Sequence, residues 1–259
     1  MKLFIVTQDE NVYLPRSIAA VCEAFSNDVT AIVSAPSMST HGGAVKGFIR
    51  HVRLFGIRGS AILGMRVIGA RLRAFRKVDR KGPFDSMAQV AHAYQVPYVH
   101  VDRLKGDHFM AAVAAYGGDL LISISCPQII GKAIRDRFPK GAINLHGSPL
   151  PRYRGLMPAF WVLRNGEKET AITVHELDAK LDDGAILAQE TIPIAADETW
   201  DSLVRKTKGA GAQLLIQTIR QIADGTVQRR PNLESEATYF SFPTSDDKRE
   251  FAAAGRRFF

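Results

Sequence analysis

Residues 142 to 155 read Ala-Ile-Asn-Leu-His-Gly-Ser-Pro-Leu-Pro-Arg-Tyr-Arg-Gly. Asn144 and His146 stand two apart at the end of an apolar run. On a strand, that spacing puts both side chains on one face. An imidazole relays protons near neutral pH. An amide beside it can donate to a developing oxyanion. A carboxylate would set the tautomer or charge of the imidazole, and Asp182, in the stretch Leu-Asp-Asp-Gly, is the candidate. Together His, Asn and Asp suit acyl transfer to an amine without a covalent enzyme intermediate. The loop that follows, Pro-Arg-Tyr-Arg-Gly, is stiffened by proline and ends in a glycine that can pass close to a ligand.

Each part alone has a plainer reading. A strand-end Asn-x-His more often serves loop hydrogen bonding, and Leu-Asp-Asp-Gly is most often a hairpin turn with an aspartate cap. Ser148 lies outside a G-x-S-x-G elbow and does not read as a nucleophile. No G-x-G-x-x-G follows the first apolar run, which argues against a standard dinucleotide site. Cys22 and Cys126 are far apart, with no Cys or His at ligand spacing, so no metal is expected. A reducing cytoplasm is the natural setting, with one long-range disulfide left open.

The elements that would position these residues follow from hydrophobic periodicity. Short apolar runs at 2–7, 29–33, 97–101, 120–124 and 142–145 read as strands. Helical spacing occupies 14–25, 86–94, 107–116 and 128–137 between them. This alternation predicts an α/β fold, with a mostly parallel sheet of about seven strands flanked by helices. Residues 170–177 and 185–194 flank the turn that holds Asp182 and read as a hairpin. A long amphipathic helix is expected over 199–222, and the tail from residue 229 is Pro- and Ser-containing. Asn144 and His146 then project at the carboxyl edge of the sheet, where open α/β folds bind ligands.

The chain has 259 residues and a net charge of +8. That charge is concentrated: residues 45–81 hold eleven Lys or Arg and one acid, Asp79, leaving a near-neutral body. Such a distribution differs from the general basicity of a nucleic-acid coat. Between residues 45 and 75, large apolar residues interleave with Arg and Gly and predict one or two amphipathic helices broken near Gly56 and Gly59. The N-terminus turns polar after six residues, too soon for a secretory signal, and no run of 18 apolar residues occurs.

The combined pattern resembles one family. Asn144-x-His146-x-Ser148-x-Leu150-Pro151-x-Tyr153-x-Gly155, then Pro158, Gly166-Glu167, Thr173 and Leu181-Asp182-x-Gly184, is similar to the folate-dependent formyltransferases. That family includes methionyl-tRNA, glycinamide ribonucleotide and sugar N-formyltransferases. The likeness runs from about residue 119 to 194. It implies a Rossmann-like formyltransferase fold, 10-formyltetrahydrofolate as co-substrate, a primary amine as acceptor and no metal. It places the catalytic Asn, His and Asp on Asn144, His146 and Asp182, with Asp183 at a variable position. It implies that the pterin rests against Cys126, Pro127, Gln128, Ile129 and Ile130, with Leu177, Asp178 and Leu181 closing the other side. Cys126 also reads as a small buried apolar residue, and Met157 and Trp161 as packing. His175 lies near the site, with a direct role left as the minority reading.

This resemblance divides the chain into a catalytic domain over 1–195, carrying the basic insert 45–81, and a helix and tail over 196–259. The tail leaves no room for the barrel domain with which methionyl-tRNA enzymes hold tRNA. The first loop, Gln8-Asp9-Glu10-Asn11, is acidic and glycine-free, a poor phosphate cradle that argues against purine synthesis. An amino sugar or another small amine is the expected acceptor. Methionyl-tRNA formylation, hydrolysis of formyltetrahydrofolate and non-catalytic folate binding remain alternatives. The Tyr-Arg-Gly and Gly-Leu-Met-Pro stretches resemble the tRNA and sugar branches more than the hydrolases. The insert reads as a solvated helical cover, a binder of a nucleotide-sugar pyrophosphate or of RNA, or a peripheral membrane contact. Its apolar content favours a membrane or partner surface over nucleic acid. A homodimer is left open.

Overall fold

The computed structural model describes residues 1–37 and 44–259. In chain order the main sheet is built from β1 (Leu3–Gln8), β2 (Val29–Ala35), β3 (Tyr98–His100), β4 (Leu120–Ile124), β5 (Ala142–His146), β7 (Glu169–Glu176) and β8 (Ile186–Pro193). Their spatial order is β3-β2-β1-β4-β5-β7-β8. The first five pair in parallel, and β7 and β8 are antiparallel to their neighbours. This is the mostly parallel seven-stranded sheet that the alternation predicts. A two-stranded ribbon joins β6 (Arg154–Gly155) to β9 (Tyr239–Phe240).

The central strands are buried on both faces, which explains their uninterrupted apolar character. Along β1, Leu3 and Ile5 enter one apolar cluster while Phe4 and Val6 enter the other, as a side-chain period of two requires. The larger cluster is covered by α1 (Leu14–Ala24), α3 (Met87–Tyr94) and α7 (Trp200–Asp224). The smaller lies under α4 (Asp107–Tyr116). α7 starts on a capping box, in which Thr199 and Ser202 each satisfy the other's backbone amide. It stops at Gly225, whose φ of 71° is costly for a residue with a Cβ.

Helix α2 (Ala44–Arg73) spans most of the basic segment. Gly56 interrupts it with φ 69° and ψ 177°, the break expected there, whereas Gly59 stays helical. One expectation needs correction. The helix read over 128–137 shrinks to α5 (Lys132–Arg135). Upstream, the Gln128 side chain accepts from the Leu104 amide at 3.0 Å and ties that stretch to a neighbouring loop. The tail, for which no element was expected, holds α8 (Ser245–Ala253), capped by Thr244 and Asp247. A short helix, α6 (Pro158–Arg164), follows the glycine-ended loop.

Candidate functional site

Register brings the polar residues together. Asn144 on β5 is opposite Ser123 on β4 and His175 on β7, and His146 is opposite Thr173. Residues directly opposite share a face. A polar row, Ser123–Asn144–His175, therefore crosses three strands of an otherwise apolar sheet.

The hydrogen bonds orient Asn144. His175 Nδ1 lies 2.8 Å from the Glu176 carbonyl, an acceptor, so this nitrogen carries a proton and donates. In that tautomer Nε2 is a lone pair, and it accepts from Asn144 Nδ2 at 3.0 Å. Asn144 Oδ1 accepts from Ser123 Oγ at 2.8 Å. The second Nδ2 proton remains available to the space above the strand end.

Asp182 reaches the same place from the β7–β8 turn. Its φ of 52° lies in the left-handed region. One carboxylate oxygen is 3.6 Å from His146 Nδ1, the other 3.6 Å from His175 Nε2. The Gly155 amide donates to Asp182 at 2.9 Å. Burial works to raise the Asp182 pKa. His146 and the Gly155 amide outweigh it and hold the carboxyl well below the usual carboxylate range. His146 Nε2 donates to the Tyr153 carbonyl at 3.0 Å, leaving Nδ1 facing Asp182.

The turn is held from outside. Asn232 Nδ2 donates to the carbonyls of Asp182 and Gly184, both at 2.9 Å. Arg154 is fully buried and lies 2.6 Å from both Asp183 and Glu234. Asp183 thus anchors the turn while Asp182 faces the histidines. At Gly155 a Cβ would sit 2.2 Å from the Phe240 carbonyl oxygen, so only glycine lets the ribbon close here.

Asn144, His146 and Asp182 line one cavity of about 310 Å³. Its walls include Gln8, Ser125, Cys126, Met157, Leu181 and, from the C-terminal part of the chain, Trp200, Lys208 and Phe242. The other expected folate contacts, Pro127, Gln128, Ile129, Ile130, Leu177 and Asp178, are not among the residues that line it. Pro127 and Ile130 are buried, Ile129 and Asp178 are exposed, and Leu177 packs against the smaller apolar cluster. The Gln128 side chain is occupied with Leu104. The Cys126 thiol donates to the Gln128 carbonyl at 3.1 Å, and burial pushes its pKa up to about 11, so it is a neutral lining group.

Sequence reasoning missed Lys208. Its ammonium donates to Ser125 Oγ and has no ion-pair partner among the described residues. Burial pushes its pKa down to about 8, while the charge of Glu10 opposes that shift. The sequence signal was faint: a lysine within the buried stripe of a helix. Glu10 itself accepts from the amides of Val12, Tyr13 and Leu14 at 2.6, 2.8 and 2.9 Å. An internal carboxylate thus fills the N-terminus of α1, where a phosphate would otherwise bind.

A family model described as formyl transferase matches residues 72–219, more than half of the chain. Solved structures agree in fold. An N-formyltransferase from Helicobacter canadensis, in complex with folinic acid and dTDP-3-aminofucose, is 18% identical with a TM-score of 0.61, over 98% of this chain and 80% of that one. Glycinamide ribonucleotide transformylase 1 from Symbiobacterium toebii is 18% identical with a TM-score of 0.60, over 87% and 88%. A formyltransferase from Anoxybacillus kamchatkensis, in complex with a UDP-linked formamido sugar and tetrahydrofolate, is 23% identical with a TM-score of 0.51, over 62% and 82%.

Proposed function

The chain belongs to the formyl transferase family, and from that premise we propose that it moves a formyl group from 10-formyltetrahydrofolate to the primary amine of a small acceptor, an amino sugar by class. The observation that carries this reading is the convergence of Asn144, His146 and Asp182 on one cavity at the end of β5. The ligands of the Helicobacter canadensis and Anoxybacillus kamchatkensis proteins, reduced folates with nucleotide-linked sugars, support the donor and acceptor classes. The plugged N-terminus of α1 supports an acceptor without a phosphate at that place.

Bound folate supplies a formyl carbon whose bond to the folate nitrogen is exchanged for a bond to the amine, with one amine proton ending on the folate nitrogen. The protein's part is positioning and charge. Asn144 keeps one Nδ2 proton for the oxyanion, and His175 and Ser123 prevent the amide from turning. A proton on His146 Nδ1 adds positive charge beside the same oxygen, and Asp182 stays ionised to hold it. The wall at Cys126, Pro127, Gln128, Ile129 and Ile130 seats the pterin, with Leu177, Asp178 and Leu181 across from it. Among the described residues that line the cavity, Lys208 is the other cation, and it faces the acceptor.

The test is release of tetrahydrofolate together with equilibrium folate binding in Asn144→Ala and Asp182→Ala. Turnover should vanish while binding persists. Turnover close to wild type in either variant would remove these residues from the chemistry.

A further inference from the structure

Helix α2 is amphipathic twice over. Its inner face is fixed to the body: Leu54, Phe55, Leu63 and Ala70 are buried, and Arg66 forms a 2.6 Å ion pair with Asp201. Phe55 packs on Trp200 and Phe258. After the break at Gly56, Leu63, Arg66 and Ala70 set the rotation of the helix about its own axis. The opposite face should therefore be polar, and it is not. Ile57, Met65, Ile68 and Leu72 are 85, 67, 61 and 68% exposed. At about 100° per residue, these four and the exposed Ala61 fall in a stripe roughly 80° wide, opposite Leu63 and Ala70. Phe75, 89% exposed, follows directly after the helix.

The charges beside the stripe are of one sign. Arg58 and Arg71 flank it, and Arg76 and Lys77 follow Phe75; all four are exposed. None has an ion-pair partner among the described residues. No acid occurs between residues 44 and 75. A second copy meeting this face through its own would set arginine against arginine. A phosphate backbone would leave the isoleucines and Leu72 in water. A surface that is anionic outside and apolar beneath satisfies both groups at once.

We propose that the outer face of α2 seats the protein on an anionic lipid bilayer, with the helix lying in the interface. Ile57, Met65, Ile68, Leu72 and Phe75 enter the acyl boundary, and the arginines meet the headgroups. The helix lies on the membrane and does not cross it: no helix among the described residues is long and apolar enough to span.

The experiment is sedimentation of the full chain with phosphatidylglycerol–phosphatidylcholine vesicles, and separately with phosphatidylcholine alone. The protein should pellet with the anionic vesicles, release in high salt, and bind phosphatidylcholine about tenfold more weakly. Ile68→Glu combined with Leu72→Glu should abolish pelleting and leave the circular dichroism spectrum unchanged, since neither side chain packs inward. No pelleting of wild type on anionic vesicles would overturn the proposal. So would pelleting that survives the double substitution. A dimer in vesicle-free ultracentrifugation that the same pair dissolves would assign the face to a second copy instead. Vesicle binding needs no turnover, so its failure is distinct from failure of the formyl-transfer reading.

Discussion

The end of β5 and the outer face of α2 break the same rule in opposite directions. At the first, polar side chains sit inside: Ser123, His146, Thr173, His175 and Asp182 are all buried. On the second, apolar side chains sit outside. The buried polar groups answer one another, each holding its neighbour's orientation, and what is left over is one amide proton and one imidazole nitrogen. The exposed apolar groups find no answer among the described residues. A misplaced group that is partnered internally points to chemistry, whereas one without an internal partner points to another surface.

The contrast can be broken most sharply at His146. Gln at this position keeps a donor for the Tyr153 carbonyl but cannot hold a charge. His146→Gln should lower turnover by about 10²–10⁴ with folate binding retained; a loss under threefold would mean that the imidazole only braces the loop. Next come the two faces of α2. Leu63→Ala, on the inner face, should cost about 2–4 kcal/mol in denaturant unfolding. Ile68→Glu, on the outer face, should stay within about 0.5 kcal/mol. Equal costs would mean that the outer face is packed in solution.

Lys208 gives the smallest effect and a definite sign. Its folded pKa, about 8, lies below the ~10.4 of an unfolded lysine. Below pH 8 the folded state bears the full cost of the half-buried ammonium. From there to the unfolded pKa the unfolded chain binds more protons, so stability rises with pH. Lys208→Met should melt higher than wild type at pH 7, and the gap should close by pH 10. A gap independent of pH would mean that this lysine titrates as a solvated one. Asp182 behaves oppositely: its folded pKa is depressed, so its contribution is present above the unfolded value of ~3.9 and is lost only in strong acid.

Much of this was legible in the sequence, for identifiable reasons. β4 and α4 end where periodicity puts them, because an apolar run and an amphipathic repeat are local signals. The two-residue spacing of Asn144 and His146 predicted their shared face, and the turn at Asp182 predicted the hairpin. α8 escaped because its sequence, Ser-Asp-Asp-Lys-Arg-Glu-Phe-Ala-Ala, buries only Phe251 and shows no apolar stripe. The roles of His175, Arg154 and Lys208 escaped for another reason. Each depends on contacts between distant segments, such as Arg154 with Glu234, which composition and spacing do not encode. The two-sided character of α2 needed the structure as well, since sequence showed its apolar residues without saying which half was buried.

The most direct test of the central claim is tetrahydrofolate release by the wild-type protein, measured first without acceptor and then with nucleotide-linked amino sugars. Release that requires the amine, with a stoichiometric formamide product in the mass spectrum, is the predicted result. Release at the same rate without any amine would contradict it and make the protein a hydrolase of the same folate.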